Sequence, residues 1–268
     1  MADTSRHDAW QAGDSYEAYM GRWSRQIAPR FLAWLKAPPA KDWLEIGCGT
    51  GALSAAILAH GRPKSLQSID SSPDFVAKAR ATMPDARATF LIGDAQALGL
   101  ETASRDIAVS ALVLNFVPAK EKMLAEMKRV TRPGGTVGFY VWDYPGGGVE
   151  FMQAFWTAAT ALDPGAQEFD ESTRFAYCTE AALVALARGA GLAAVECTAI
   201  ELPTMFQNFD DFWRPFTLGA GPAPGYCAKL DAPARERLKG RLFQKLLNGH
   251  DGPINLTMRA WAVKASVG

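Results

Sequence analysis

The sequence predicts an α/β fold, a doubly wound and mostly parallel sheet with helices on both faces. Three observations carry that reading. The apolar run Trp43-Leu44-Glu45-Ile46 enters the turn Gly47-Cys48-Gly49-Thr50-Gly51 and is followed by helix-forming residues from Ala52 to His60. Strand-like and helical segments then alternate as far as Val141. Acidic residues recur at three successive strand ends, Glu45, Asp70 and Asp94, and ligands of open α/β sheets bind at that edge.

The glycine turn supplies backbone angles that a side chain forbids, and it leaves the first N–H groups of the next helix available to a ligand. Its pattern is G-x-G-x-G, not the G-x-G-x-x-G of a dinucleotide site. A tight turn with no ligand is the plainer alternative. The second strand, Ser65–Ile69, ends in Asp70, where one carboxylate can accept both hydroxyls of a ribose. Asp70, Ser71 and Ser72 also read as the cap of a helix over Pro73–Met83. A third strand, Thr89–Gly93, ends in Asp94-Ala95. A fourth, Asp106–Ser110, leads into Ala111–Pro118, a helix follows over Lys120–Val130, and Arg132-Pro133-Gly134-Gly135 stops it before a fifth strand, Thr136–Val141.

In this order the segments LEIGCGTG, SID, GDAQAL, DIAVSALVLNFV and RPGGTVGFY resemble the class I S-adenosylmethionine-dependent methyltransferases. The likeness is to the type 11 small-molecule group, similar to the quinone and sterol methyltransferases, and it covers roughly Lys41–Val141. It implies a Rossmann-like sheet of seven strands with the last antiparallel. It implies S-adenosylmethionine as cofactor and S-adenosylhomocysteine as product. By the same resemblance Gly47, Cys48, Gly49, Thr50 and Gly51 face the methionine part, and Glu45 helps to hold its amino group through the loop. Asp70, with Ser71, would bind the ribose, Asp94 and Ala95 would meet the adenine, and Ser110 and Ala111 would help to hold the amino-acid end. Where the family often has a Glu-His pair, this chain has Asn115 and Phe116. No histidine base is therefore expected there. His7, His60 and His250 read as solvated or capping residues.

Outside the motif region, aromatic residues carry the information. Tyr16, Tyr19, Met20, Trp23, Ile27, Phe31 and Leu35 follow helical spacing and predict an amphipathic helix, or a pair broken near Pro29. From the family, this helix is expected to fold over the cofactor, with Tyr19 and Arg22 at the cofactor and Trp23 lining the substrate pocket. The fifth strand runs into Trp142-Asp143-Tyr144, which makes Asp143 the candidate general base or hydrogen-bond acceptor, with a plain loop carboxylate as the alternative. A helix is expected over Thr179–Ala190 and strands over Ala193–Leu202 and Ile254–Lys264, separated by an aromatic-rich insertion, Pro203–Pro253. The division expected is a helical cap over 1–40 and a methyltransferase domain over 41–268, with lid insertions near 144–178 and 203–253, all one structural unit.

Trp142, Tyr144, Phe155, Phe212 and Trp213 join Trp23 as expected pocket residues, which points to a hydrophobic or aromatic small-molecule acceptor. Methyl transfer by in-line displacement needs positioning more than it needs a base, and positioning can supply about 7–11 kcal/mol. A cofactor-binding protein without transferase activity and a nucleotide-dependent oxidoreductase remain the alternatives. Lys plus Arg and Asp plus Glu balance at 28 each in 268 residues, which favours neither nucleic acid nor an anionic surface as partner. Cys48, Cys178, Cys197 and Cys227 show no metal-ligand spacing, so no metal is expected. No leader and no apolar run of about 18 residues is read, and a cytoplasmic location is expected.

Overall fold

A computed structural model describes residues 17–219 and 221–268; the readings made for His7 and Tyr16 lie outside the described residues. Seven strands form one sheet: β1 (Asp42–Ile46), β2 (Ser65–Asp70), β3 (Ala88–Ile92), β4 (Arg105–Ala111), β5 (Thr131–Trp142), β6 (Ala193–Phe206) and β7 (Ile254–Ser266). Their order is β3-β2-β1-β4-β5-β7-β6. β1 to β5 pair in parallel, and β7 runs antiparallel to β5, as expected. The central β1 is buried along Trp43–Ile46, with the apolar Trp43, Leu44 and Ile46 flanking one buried acid, Glu45.

Contacts divide the chain into two compact units. The sheet unit comprises Trp23–Trp142, Tyr177–Ile200 and Ala260–Gly268. The helical unit comprises the described residues up to Arg22, with Asp143–Ala176 and Glu201–Arg259. This grouping differs from the expected division at residue 40, because the N-terminal helix from Trp23 onward packs with the sheet.

In the sheet unit, α1 (Arg22–Leu35) buries Trp23, Ile27, Phe31 and Leu35, and Phe31 packs on Tyr140 of β5 at 4.8 Å. Of the two alternatives the single helix is found; it contains Pro29 without a break and is preceded by a π-helical turn at Glu17–Gly21. Pro29 removes one backbone hydrogen bond and crowds the preceding turn. Burial of the stripe on both sides of it offsets that cost. The helix α2 (Ala52–Ala56) continues into a π-helical turn at Ile57–Gly61, and α3 (Pro73–Thr82) is capped by Ser72. The helix α4 (Lys120–Val130) has the expected bounds. β5 begins earlier than expected. Arg105 pairs with Thr131 and Ile107 with Thr136, so Arg132–Gly135 forms a bulge inside the strand. Gly135 is required there, because a Cβ would lie 2.6 Å from the Asp106 carbonyl oxygen.

The helical unit contains α5 (Glu150–Thr160), the single turn α6 (Glu171–Arg174), α8 (Phe209–Trp213), α9 (Pro222–Lys229) and α10 (Ala232–Leu247); α7 (Glu180–Gly189) belongs to the sheet unit. β6 extends past Leu202 to Phe206, alternating exposed and buried residues at period two. Pro203 faces outward on this edge strand and needs no ladder partner. The insertion 203–253 is mostly helical. Asn208 caps α8 and Asp231 caps α10, each side chain accepting a backbone N–H.

Aromatic rings form the core of this unit. Phe155 stacks on Phe216 at 4.5 Å, Phe216 meets Phe212 at 5.4 Å, and Phe212 meets Phe206 at 5.2 Å. Tyr19 stands edge-on to Phe151 at 5.8 Å and to Phe216 at 5.9 Å.

Candidate functional site

In the sheet unit, the turn after β1 is built from three left-handed glycines, Gly47 (φ 74°), Gly49 (φ 51°) and Gly51 (φ 90°). A Cβ on Gly47 would collide with the Val113 side chain, and one on Gly51 with Met83. Among the described residues, apart from its chain neighbours, no atom lies within 4 Å of a Cβ position on Gly49, which is half-buried. Room of this kind over the main chain suits a bound ligand.

Three bonds hold the turn. The N–H groups of Gly47 and Cys48 donate to the Ile69 carbonyl at 2.7 and 3.0 Å, and that of Gly49 donates to Asp70 Oδ2 at 2.8 Å. Asp70 Oδ1 accepts from Ser72 N–H at 2.9 Å, so both expected roles, turn support and helix entry, meet on one carboxylate. Burial raises the Asp70 carboxyl above its ordinary range, against the lowering effect of these backbone donors. Ser71 N–H also lowers the Asp70 pKa by hydrogen bonding, so three backbone donors engage this carboxylate. Gly51, the residue at the start of α2, gives no side-chain cap, so the first turn of that helix is left for an anionic group.

Glu45 points inward. Its Oε2 accepts from the hydroxyl of Ser54 on α2 and from Ser68 on β2 at 2.8 Å, and the residue is 1% exposed. It links β1, β2 and α2, so any effect on a ligand passes through the turn these elements carry. Cys48 also points inward, packed with Val76, Ala79 and Phe90, and burial pushes its thiol pKa up. Thr50 is buried and Ser71 exposed. Ser110 is buried and its hydroxyl donates to the Ile46 carbonyl at 2.8 Å, tying β4 to β1, and Ala111 is the last residue of β4.

Asp94 is exposed, and its Oδ1 accepts from the main chain of Gln96 at 2.8 Å and from its side chain at 3.2 Å. Gln96, not singled out in the sequence, also accepts from Ala119 N–H at 3.1 Å and joins the loops after β3 and β4. Leu112 adopts a left-handed φ of 60° at the end of β4, and Val113 walls the turn against Gly47. Asn115 is 6% exposed and its Nδ2 has no hydrogen-bond partner, while Tyr177 donates to its carbonyl at 3.0 Å.

Residues 44–139 match the methyltransferase-domain family. The malonyl-[acyl-carrier protein] O-methyltransferase of Serratia marcescens is 33% identical over 129 residues, 48% of this chain and 49% of that protein. The 2-methyl-6-phytyl-1,4-hydroquinone methyltransferase of Synechocystis sp. is 35% identical over 107 residues, 40% of this chain and 33% of that protein. The chain thus spans at most about half the length of these relatives. A solved structure, Haemonchus contortus phosphoethanolamine N-methyltransferase 2 in complex with S-adenosyl-L-methionine, superposes with a TM-score of 0.60 at 17% identity, covering 97% of this chain and 58% of that one. The fold is shared. Among the described residues there is no group of three or more potential metal ligands, and no helix is long and apolar enough to cross a membrane.

The matched segment 44–139 contains the turn after β1 and the ends of β2 and β4, where the cofactor residues are expected. The residues expected at the pocket are placed otherwise. Trp23 and Trp142 are buried in the sheet unit at 4% and 2% exposure. In the helical unit, Phe155 and Phe212 are fully enclosed by other rings, and Tyr19 is enclosed with its hydroxyl pKa raised by burial. Arg22 donates to Asp211 at 3.1 Å and lies over the Phe206 ring at 4.5 Å, and Trp213 lines an open groove with it. Tyr144 lines a separate cavity.

Asp143, expected as a general base or hydrogen-bond acceptor with a plain loop carboxylate as the alternative, lies in an ion pair with Arg259. It is 1% exposed, it accepts from Arg259 Nε at 2.7 Å and from Gly146 N–H at 2.9 Å, and it closes the loop 143–148. Trp142 pairs with Ala260, so the antiparallel register brings Arg259 to Asp143. That register is the signal the sequence reading lacked.

Two outcomes follow from these carboxylates. Burial raises Glu45 from 4.5 to about 7. Its contribution to stability is therefore complete below its ordinary pKa and is lost as pH rises through about 7, and Glu171, also raised to about 7, has the same sign. Against Glu45→Gln, whose side chain does not titrate, the wild type should gain about 2–3 kcal/mol between about pH 8 and pH 5 in urea denaturation. Arg259→Met should destabilise by about 2–3 kcal/mol, short of the full cost of a broken buried pair because the guanidinium is partly exposed. Adding Asp143→Asn should recover part of that loss in the same measurement.

Proposed function

We propose that the protein is an S-adenosylmethionine-dependent methyltransferase acting on a hydrophobic or aromatic small molecule. The observation that carries this reading is the left-handed glycine turn with open space above Gly49, fastened to Asp70 beside an uncapped helix start. The donor set fits the cofactor. Asp70 offers its carboxylate to the ribose hydroxyls, the α2 start and the main chain of Ser110 and Ala111 suit the amino-acid end, and Asp94 with Ala95 stands at the adenine position. When bound, the cofactor supplies a methyl group on a sulfonium, a leaving group that needs no protonation.

The chain's own part is then to bind and orient. Glu45, Ser54 and Ser68 fix the turn, and Val113 limits the room beside Gly47. With Asp143 committed to Arg259, no side chain in the described residues stands out as a base, which suits a reaction driven by positioning. The acyl-carrier-protein and hydroquinone substrates named for the relatives support a small or carrier-bound organic acceptor. The oxidoreductase alternative lacks its third glycine.

Transfer of a radiolabelled methyl group from S-adenosylmethionine to apolar small molecules tests the reading; labelling of peptides or RNA alone would refute the acceptor class. Asp70→Ala should weaken S-adenosylhomocysteine binding by about 1–3 kcal/mol in calorimetry. Unchanged affinity would remove Asp70 from the site.

A further inference from the structure

The helical unit contains a cavity of about 190 Å³ bounded by Tyr144, Gln153, Trp156, Thr157, Asp170 and Glu171. Glu171 is 2% exposed. Among the described residues one side-chain donor reaches it, the Trp156 indole N–H, which bonds Oε2. A carboxylate has four lone-pair sites, so this buried acid keeps acceptor capacity on the wall of a cavity. Asp170, next in the chain, adds a second carboxylate and spends Oδ1 on Ser172 N–H at 2.8 Å.

Among the described residues no basic side chain lines the cavity. Arg174 is the cation whose field reaches Glu171, and its guanidinium lies over the Phe175 ring at 5.1 Å. The remaining walls include the Trp156 and Tyr144 rings, the latter held against Phe175 at 5.2 Å. Two carboxyl groups and two electron-rich rings on the walls of one cavity attract a positive charge and repel a negative one. Burial of Glu171 raises its pKa to about 7.

We propose that this cavity is a recognition site for an alkylammonium group, held by Glu171 and Asp170 and faced by Trp156 and Tyr144. A protonated amine would donate to the free lone pairs of Glu171 while its alkyl hydrogens meet the rings. The volume admits a primary amine with a short chain or a methylated ammonium head. The inference stands on the helical unit alone and does not depend on the cofactor reading.

The test is titration of the full chain with n-butylammonium chloride and, in parallel, with its neutral counterpart n-butanol, following the Trp156 indole N–H signal by NMR. The expected result is a saturable shift with the amine, absent with the alcohol, and weakened about tenfold in Glu171→Gln. Asp170→Asn, which keeps a capping side chain, should weaken it to a smaller degree. Equal response to the alcohol, which would show that the positive charge is not recognised, overturns the proposal. So does unchanged affinity in Glu171→Gln, or the lack of any saturable shift. If Glu171→Gln does not fold, the amine-to-alcohol contrast in the wild type and the Asp170→Asn titration decide the matter.

Discussion

The contact between Asp70 and the Gly49 N–H is the constraint on which the site depends. Three successive glycines in left-handed conformations have little intrinsic preference for one shape, since glycine loses more freedom on folding than any other residue. The turn is defined from outside, by the end of β2, through the Ile69 carbonyl and the Asp70 carboxylate. Behind it, Glu45 and its two serines fix the distance between β1, β2 and α2. Two acids share the work: Glu45 holds the strands and helix, and Asp70 shapes the loop. Burial raises both, but only Asp70 lies at the surface of the turn.

Much of the sheet unit was legible because its signals are local. The apolar run of β1, the glycines after it and the helix over Lys120–Val130 each announce themselves within about ten residues. What failed to show in the sequence depends on contacts far along the chain. Asp143 looked like a base at a strand end, and its partner Arg259 lies across an antiparallel register that only the folded sheet defines. Arg22 looked ready for a carboxylate and found one on Asp211, within the insertion. Pro29 left one helix or a broken pair open, and burial on either side holds the single helix together. Glu171 reads in the sequence as an ordinary helix-start acid beside Asp170, and only packing reveals it as buried.

The aromatic residues teach a related lesson. Their concentration outside the motif region suggested a pocket wall, yet Phe155, Phe206, Phe212 and Phe216 mostly face one another. Composition distinguishes an aromatic core from an aromatic pocket poorly, since both need large apolar area. The polar groups left among the rings are more telling. Glu171 beside Trp156, rather than the phenylalanines, marks where the helical unit has room for something else.

The central claim is that the glycine turn and Asp70 form a site for S-adenosylmethionine and not for a dinucleotide. Calorimetric titration of the wild-type chain with S-adenosylhomocysteine, NADH and NADPH tests it directly. The account predicts micromolar binding of the thioether alone. Binding of a dinucleotide with no response to S-adenosylhomocysteine would contradict it.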